Sequence, residues 1–572
     1  MAPHWRKFSH ISTTVPLALV ATCGWSQSLE WYRSSGGIGT DQGRSVVVDP
    51  SGQVVMTGVF SDTVDLDPGP GSSLVQSEGY TDACVSAFDE SGNFLWGGAF
   101  GGTGVEHANS IAVDDAGRFH IVGKFRDSVD FDPGPSTFYL HAPDFDSGFL
   151  LTLDAQGGFV QAVEFDSDHH TQALAVAVRP DGHLFITGWF WGTIDLDPGP
   201  GSAQHTSAGT EDVFLVELDA NGAFVHGAAW GGVTADMGHG LVVRPDGSIC
   251  VSGCFSSTVD LDPGPDTLSY TAPGAHTDAF ILTFDDDLQL LWCYLVSGSS
   301  SDVGYALTTN ADGHVFATGI FQGTVDFDPG PGTTSLSTTG AQRAFILHLD
   351  PTGAFVWVGA LGGSSSTEGW SIALDAAGNV WTTGFTGNGT DLDPGPGVHL
   401  VTTPGSFDIF LSKLDPSGNY LWAHCFIAPS HQQGRDILVS ATGGVYLTAG
   451  FHQDLDADPG PDTLIAPNQG GSDALLLKLR DNVTTTVADP QPPDWRIHPN
   501  PGSGSFWITS TEPLHNTRCI LRDAHGAQVQ EFTITGSRAV PIALTVETGV
   551  YHLELRLPDG RRSTQPLVIV HP

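Results

Sequence analysis

At 572 residues the chain is too long for one ordinary hydrophobic core, so it requires several domains or a repeat array. Its 64 Asp and Glu against 21 Lys and Arg give a formal charge of -43, which repels polyanions. That argues against nucleic acid and anionic membrane surfaces as partners and leaves cations, or neutral ligands such as glycans.

In chain order, Arg6 and Lys7 precede an apolar stretch from Val15 to Ala21 and then small and polar residues up to Gln27 and Ser28. This is the pattern of a cleavable signal peptide over 1–27, with cleavage near Gln27. A lipidated Cys23 is the alternative, and Thr22 is a poor residue to precede it. No later segment approaches the roughly 18 apolar residues needed to span a bilayer, so a soluble mature chain with no transmembrane segment is expected. The seven cysteines, Cys23, Cys84, Cys250, Cys254, Cys293, Cys425 and Cys519, lack the spacing of a disulfide framework. Cys250 and Cys254 lie along one strand, too far apart to bridge, and all are expected as small core residues.

From residue 28 to 480 a tract Asp-x-Asp-Pro-Gly-Pro begins at Asp65, Asp130, Asp195, Asp260, Asp326, Asp391 and Asp456, a spacing of 65 residues, once 66. Seven copies of one supersecondary unit follow. Each unit reads as four short strands. The first is an alternating run such as Ser45 to Asp49, closed by an Asp-x-x-Gly turn, and the second is a run such as Val54 to Phe60 with Gly58 repeated at Gly123, Gly188, Gly253, Gly319, Gly384 and Gly450. After the Asp-rich excursion comes a third run, as in Asp212 to Asp219, and a fourth that carries Trp96, Trp292, Trp357 or Trp422 in different copies. Four antiparallel strands make a propeller blade, so the expectation is an all-β fold with a seven-bladed β-propeller. The mature chain opens on a fourth-type strand, Leu29 to Ser34, while the last repeat stops at its third, Asp473 to Arg480. The N-terminal strand is therefore expected to complete the seventh blade and remove the open edges.

The repeats resemble the bacterial β-propeller repeats called SBBP repeats, on Gly36 to Asp41, Ile111 to Asp114, Thr187 to Gly188 and Asp278 to Phe280. The resemblance covers 29–480 and implies fold, with almost nothing about activity. The Asp-rich excursion and the Phe of Gly58-Val59-Phe60 depart from the usual unit.

A Thr-, Pro- and Asp-rich linker over 481–494 leads to a small C-terminal β domain, expected as a β-sandwich over 495–572, with strands at Phe506 to Thr509, Arg518 to Arg522 and Gly549 to Leu557. This region resembles the type A C-terminal sorting domain of the type IX secretion system of Bacteroidetes, on Ile497-His498-Pro499-Asn500-Pro501, on Gly549-Val550-Tyr551-His552-Leu553 and on a terminal apolar run from Leu567 to Val570. The Lys usual before the last strand is replaced by Gln565-Pro566. The resemblance implies export through type IX secretion machinery to the outer cell surface or the medium.

Gly-x-Ser-x-Gly, His-Glu-x-x-His, Cys-x-x-Cys and sialidase Asp-box motifs are all missing, so a binding, adhesion or scaffold protein with an unidentified glycan or protein ligand is expected rather than an enzyme. An extracellular polysaccharide-active hydrolase or lyase is the alternative, through a carboxylate pair that sequence does not single out among 64 acidic residues. His169 and His170, with Asp166 and Asp168, form either a solvated loop or a transition-metal site. In extended backbone, alternate side chains share a face, so the pairs Asp65 and Asp67, Asp130 and Asp132, Asp195 and Asp197, Asp260 and Asp262, Asp326 and Asp328, Asp391 and Asp393, and Asp456 and Asp458 are candidate Ca²⁺ ligands. The competing reading is turn chemistry, in which Asp accepts backbone amides and the prolines preset the bend. Blade topology places the tracts on one face with the inter-blade loops, so that face, with Asp41, Glu106, Asp168, Asp236, Asp302 and Glu368, is expected to be an acidic ligand or cation surface.

Overall fold

The computed structural model describes residues 27–274, 276–481, 495–498, 505–510, 514, 516–523, 527–534, 539–556 and 562–570. The expected signal peptide with Cys23, and the linker, lie outside the described residues apart from Gln27 and Asp481, as do Pro499, Asn500 and Pro501. All regular structure among the described residues is β, and it falls into two compact units, Met1–Asn482 and Val483–Pro572. Among the described residues no helix is long and apolar enough to cross a membrane.

The first unit is a seven-bladed β-propeller whose blades are four-stranded antiparallel sheets. Blade one runs Gln42–Val48, Val54–Phe60, Asp82–Phe88 and Phe94–Phe100 from the axis outward. Its two middle strands are buried along their whole length, because neighbouring blades cover both faces. Hence they read as continuous apolar runs rather than alternating ones. The Asp-x-x-Gly turns close the hairpins as expected. Asp49 Oδ1 accepts the amides of Ser51 (2.9 Å) and Gln53 (2.8 Å), and Gly52 takes a φ of 91° that a side chain would strain.

The seventh blade is built from both ends of the chain. Gln27–Ser35 pairs antiparallel with Asp473–Asp481, Tyr32 opposite Leu477, to give the outermost strand. Further bonds hold the seam: Asp41 N donates to Ser472 O (2.7 Å), and Lys478 Nζ meets Glu30 (3.1 Å). Trp31 of the closing strand reaches blade one and donates from Nε1 to Glu90 O (3.0 Å).

In the second unit one sheet holds Trp495–His498, Ser505–Ser510 and Ala539–Ala543, and the other holds Gln528–Ile534, Thr517–Arg522, Gly549–Arg556 and Arg562–Ile569. Both sheets contribute to one core, with Trp495, Phe506 and Ile508 from the first and Leu521, Leu553, Leu555 and Leu567 from the second. That is a β-sandwich. The six described cysteines are free thiols, and all but the half-buried Cys293 are buried.

Candidate functional site

The Asp-x-Asp-Pro-Gly-Pro tract ends a short ribbon, Thr63–Asp65 against Leu74–Gln76 in the first repeat. Val64 and Leu66 are each 2% exposed and point into the blade, so the carboxylates take the other face. Asp65 Oδ1 accepts the amides of Asp67 (3.1 Å) and Ser73 (2.7 Å), and Asp67 Oδ1 accepts Gly69 N (2.8 Å). The same three bonds recur at Asp130 and Asp132, at Asp195 and Asp197, and at Asp260 and Asp262. They recur again at Asp326 and Asp328, at Asp391 and Asp393, and at Asp456 and Asp458. The first Asp thus ties the ribbon across its base, and the second caps the bend. Calcium takes six to eight oxygens. Among the described residues no three His, Cys, Asp or Glu side chains come together as metal ligands, so each pair alone falls short of that shell.

The inter-blade loops lie beside these tracts, as antiparallel bridges from Gly232 to Val259 and from Gly298 to Val325 record. The tract carboxylates are half-exposed or exposed on this face, but four of the six inter-blade carboxylates expected beside them are buried. Asp41 accepts the amides of Gly37 (2.7 Å) and Ser61 (3.1 Å), and Glu106 those of Gly102 (3.0 Å) and Arg126 (3.3 Å). Asp236 accepts Gly232 N (2.5 Å) and Ser256 N (2.9 Å), and Asp302 accepts Gln322 N (3.0 Å). The loops would otherwise leave these amides unpaired inside the ring wall. Burial pushes Asp41 up to about 6, Glu106 and Asp236 to about 7 and Asp302 to about 8. Asp168 and Glu368 do not share their register. The equivalent positions in blades three, six and seven are the buried Thr171, Thr367 and Gln432. The paired glycines of the loops answer to close approach: a Cβ on Gly36 would lie 2.2 Å from Asp473 Cγ, and one on Gly37 2.2 Å from Thr63 O.

His169 and His170 are held by neighbours rather than grouped with further metal donors. The His169 ring stacks on Trp191 at 4.6 Å, His170 Nδ1 lies 3.3 Å from the Asp146 amide, and Phe145 packs against both rings. Trp191 is 37% exposed, so this part of blade three presents an aromatic shelf to solvent.

The seven first strands pack side by side around the axis and line a cavity of about 310 Å³. Every first strand carries a β-bulge at the same register, and the bulged residue faces the cavity: Arg44, Asn109, Leu174, His239, Tyr305, Trp370 and Arg435. A bulge re-aims a side chain, here toward the axis. This ring is chemically uneven. His239, Tyr305 and Trp370 pack edge to face with centroids 5.4 and 6.2 Å apart, and the Arg435 guanidinium lies 4.1 Å from the Trp370 ring centre. The one carboxylate on the lining, Asp436, is saturated by Ser45, Val46, Ser371 and its neighbour Ile437, so the described lining offers no free carboxylate pair for glycoside hydrolysis. Sequence reading missed this ring because it starts one residue before the recognised alternating run. The available signal was the position just before that run, which holds six residue types in seven repeats.

No protein-family profile matches the chain. It is 22% identical over 499 residues to an uncharacterized WD repeat-containing protein of Acanthamoeba polyphaga mimivirus, a match covering 74% of this chain and 36% of that protein. The chain therefore spans about a third of the length of the curated relative it matches. Among solved structures, PorZ, a bacterial surface component of the type IX secretion system of Porphyromonas gingivalis, aligns with 10% identity and a TM-score of 0.24, covering 94% of this chain and 100% of PorZ. A protein of unknown function from Dyadobacter fermentans aligns with 11% identity and a TM-score of 0.33, covering 80% of this chain and 99% of that one. The chain is thus similar to a WD-repeat protein and folds as a β-propeller followed by a β-sandwich unit.

Proposed function

We propose that this chain is a secreted or cell-surface binding and scaffold protein exported by type IX secretion. The observation that carries this reading is the division of labour among its polar groups. The recurrent carboxylates of the loop face are taken up by backbone amides, while the channel ring presents Arg, Asn, Leu, His, Tyr and Trp side chains to one axial cavity. A rigid closed ring with one uneven axial cavity suits recognition. Export is supported by the sorting-domain resemblance, carried by Gly549 to Leu553 in a strand of the β-sandwich unit.

Two measurements test this. Residues 481–572 fused to a periplasmic reporter in a Bacteroidetes host are expected to send it outside the cell, and retention in the periplasm would refute the export assignment. Immobilised full-length protein is expected to retain surface polysaccharide from cell extracts without shortening it. Release of new reducing ends would favour the polysaccharide-active enzyme instead.

A further inference from the structure

We propose that the central channel is a receptor for a single organic carboxylate on a body the size of one sugar ring, gripped by Arg44 and Arg435. This rests on the reading of the propeller as a binding module and names the ligand class of its channel.

The two arginines stand in adjacent blades, one and seven, beside the seam of the ring. Arg44 makes no hydrogen bond among the described residues, and its Nε is buried without a partner. Arg435 donates through Nη2 to two neutral oxygens, Gln42 Oε1 (3.1 Å) and Gln433 Oε1 (2.6 Å), while its Nε is also buried and unpaired. The nearest acids are committed elsewhere. Asp436 is turned into the wall, and Glu368 accepts the Trp370 indole N–H (2.8 Å) and the Gln342 amide. Burial pushes Arg44 down to about 10, and burial and then the charge of Arg44 lower Arg435 as well, against the opposing charge of Glu368. His107 sits close to both. Burial and then the charges of Arg44, Lys124 and Arg435 push it down to about 3, so it stays neutral and adds no third cation.

Two half-buried guanidiniums, of which Arg435 alone feels a nearby carboxylate, that of Glu368, are costly in the free protein, and an anion between them relieves desolvation and mutual repulsion together. The planar fork of arginine matches a carboxylate in bidentate fashion. The rest of the ring decides the body that carries it. Leu174, Tyr305 and Trp370 offer apolar and aromatic surface, and about 310 Å³ exceeds what a bare inorganic anion fills. The formal charge of -43 repels a polyanion before it reaches the axis, so the ligand carries one acidic group on an otherwise neutral body. A uronic acid, free or at the end of a neutral glycan, has this chemistry.

The test is titration calorimetry on the full-length protein with D-glucuronate, glucose, inorganic phosphate and a disaccharide ending in glucuronate. Saturable one-to-one binding of glucuronate is expected, with no binding of glucose and phosphate at least about tenfold weaker. Arg44→Gln is expected to weaken glucuronate binding by about tenfold or more. It removes no hydrogen bond, so the melting temperature of the ligand-free protein should hold or rise. Arg435→Gln should weaken binding likewise. A disaccharide that binds as tightly as the monosaccharide identifies a glycan end as the source, and one that binds more weakly identifies the free acid. Equal binding of phosphate, unchanged binding in Arg44→Gln, or no saturable binding of any probe would overturn the assignment. If polysaccharide is still retained by the immobilised protein in that last case, the channel assignment fails while the binding reading stands.

Discussion

At Asp436 three blades meet on one carboxylate. Oδ1 accepts Ser371 Oγ (2.7 Å) of blade six and Ile437 N (2.9 Å) of blade seven, and Oδ2 accepts Ser45 Oγ (2.8 Å) and Val46 N (2.9 Å) of blade one. Burial raises its pKa against the pull of these donors. Asp436→Leu strands several buried donors at once and is expected to cost about 3 kcal/mol in a urea unfolding curve, with Asp436→Asn costing less. The loop-face carboxylates set a pH dependence of the opposite sense to ordinary acid denaturation. Asp41, Glu106, Asp236 and Asp302 have folded-state pKa values raised by burial to between about 6 and 8, against an unfolded value near 4. The folded state therefore binds more protons, and stability is fully present below about pH 4 and is lost as pH rises through 6 to 8. Asp114 works the other way. Burial opposes it, but bonds from His120 and Arg118 hold it below the usual carboxylate range, so its contribution is lost as pH falls below about 4. The melting temperature is expected to rise from pH 8 to pH 5.5, with Asp302→Asn flattening that rise. A fall on acidification across this interval would refute the account.

Each blade was legible as an element because period-two alternation, Asp-x-x-Gly turns and the spacing of Gly58 and its copies agree with one antiparallel sheet, except that in blade seven Ala449 takes the register of Gly58 and Gly450 that of Val59. The excursion was legible as a turn for the same local reason, since an Asp side chain reaches amides two residues on in any context. Its metal chemistry was not legible, because calcium depends on ligands from elsewhere in the fold. The donor set points to a tract that holds its shape through backbone amides. Chelation at fixed ionic strength is therefore expected to leave the melting temperature unchanged, whereas a drop that calcium restores would assign the fourteen carboxylates a ligand role. The loop-face acids were misread in register. Asp168 and Glu368 lie near the loop in sequence, but strand one begins at a fixed depth that places Thr171 and Thr367 at the clamp instead. A further contact had no sequence signal. Trp31, Trp96, Trp292 and Trp357 each cover the turn glycine of the following blade, Gly92, Gly157, Gly353 and Gly418, where an added Cβ would lie within 3 Å of the indole.

Across the whole molecule, the seam between blades one and seven depends on a strand supplied by the N-terminus. Removing the mature chain up to Trp31 exposes the edge of Asp473–Asp481 and cuts the bonds from Gln27 to Asp481 and from Glu30 to Lys478. That truncation is expected to lower the melting temperature of the propeller far more than removal of everything after Asp494, and comparable melting of the two would sink the closure argument. The sequence alone determined the number of blades, their strand order and the closure, because each follows from spacing and local pattern. Tertiary structure alone decided the character of the axis. A one-residue bulge in each first strand turns residue 44 and its six counterparts inward, and closure brings Arg44 beside Arg435 from opposite ends of the propeller. A formal charge of -43 describes the surface a partner meets at long range. The field inside a narrow, poorly solvated channel is set by the few charged groups that line it, and here those are two guanidiniums and Asp436, whose oxygens are taken up by donors of the wall.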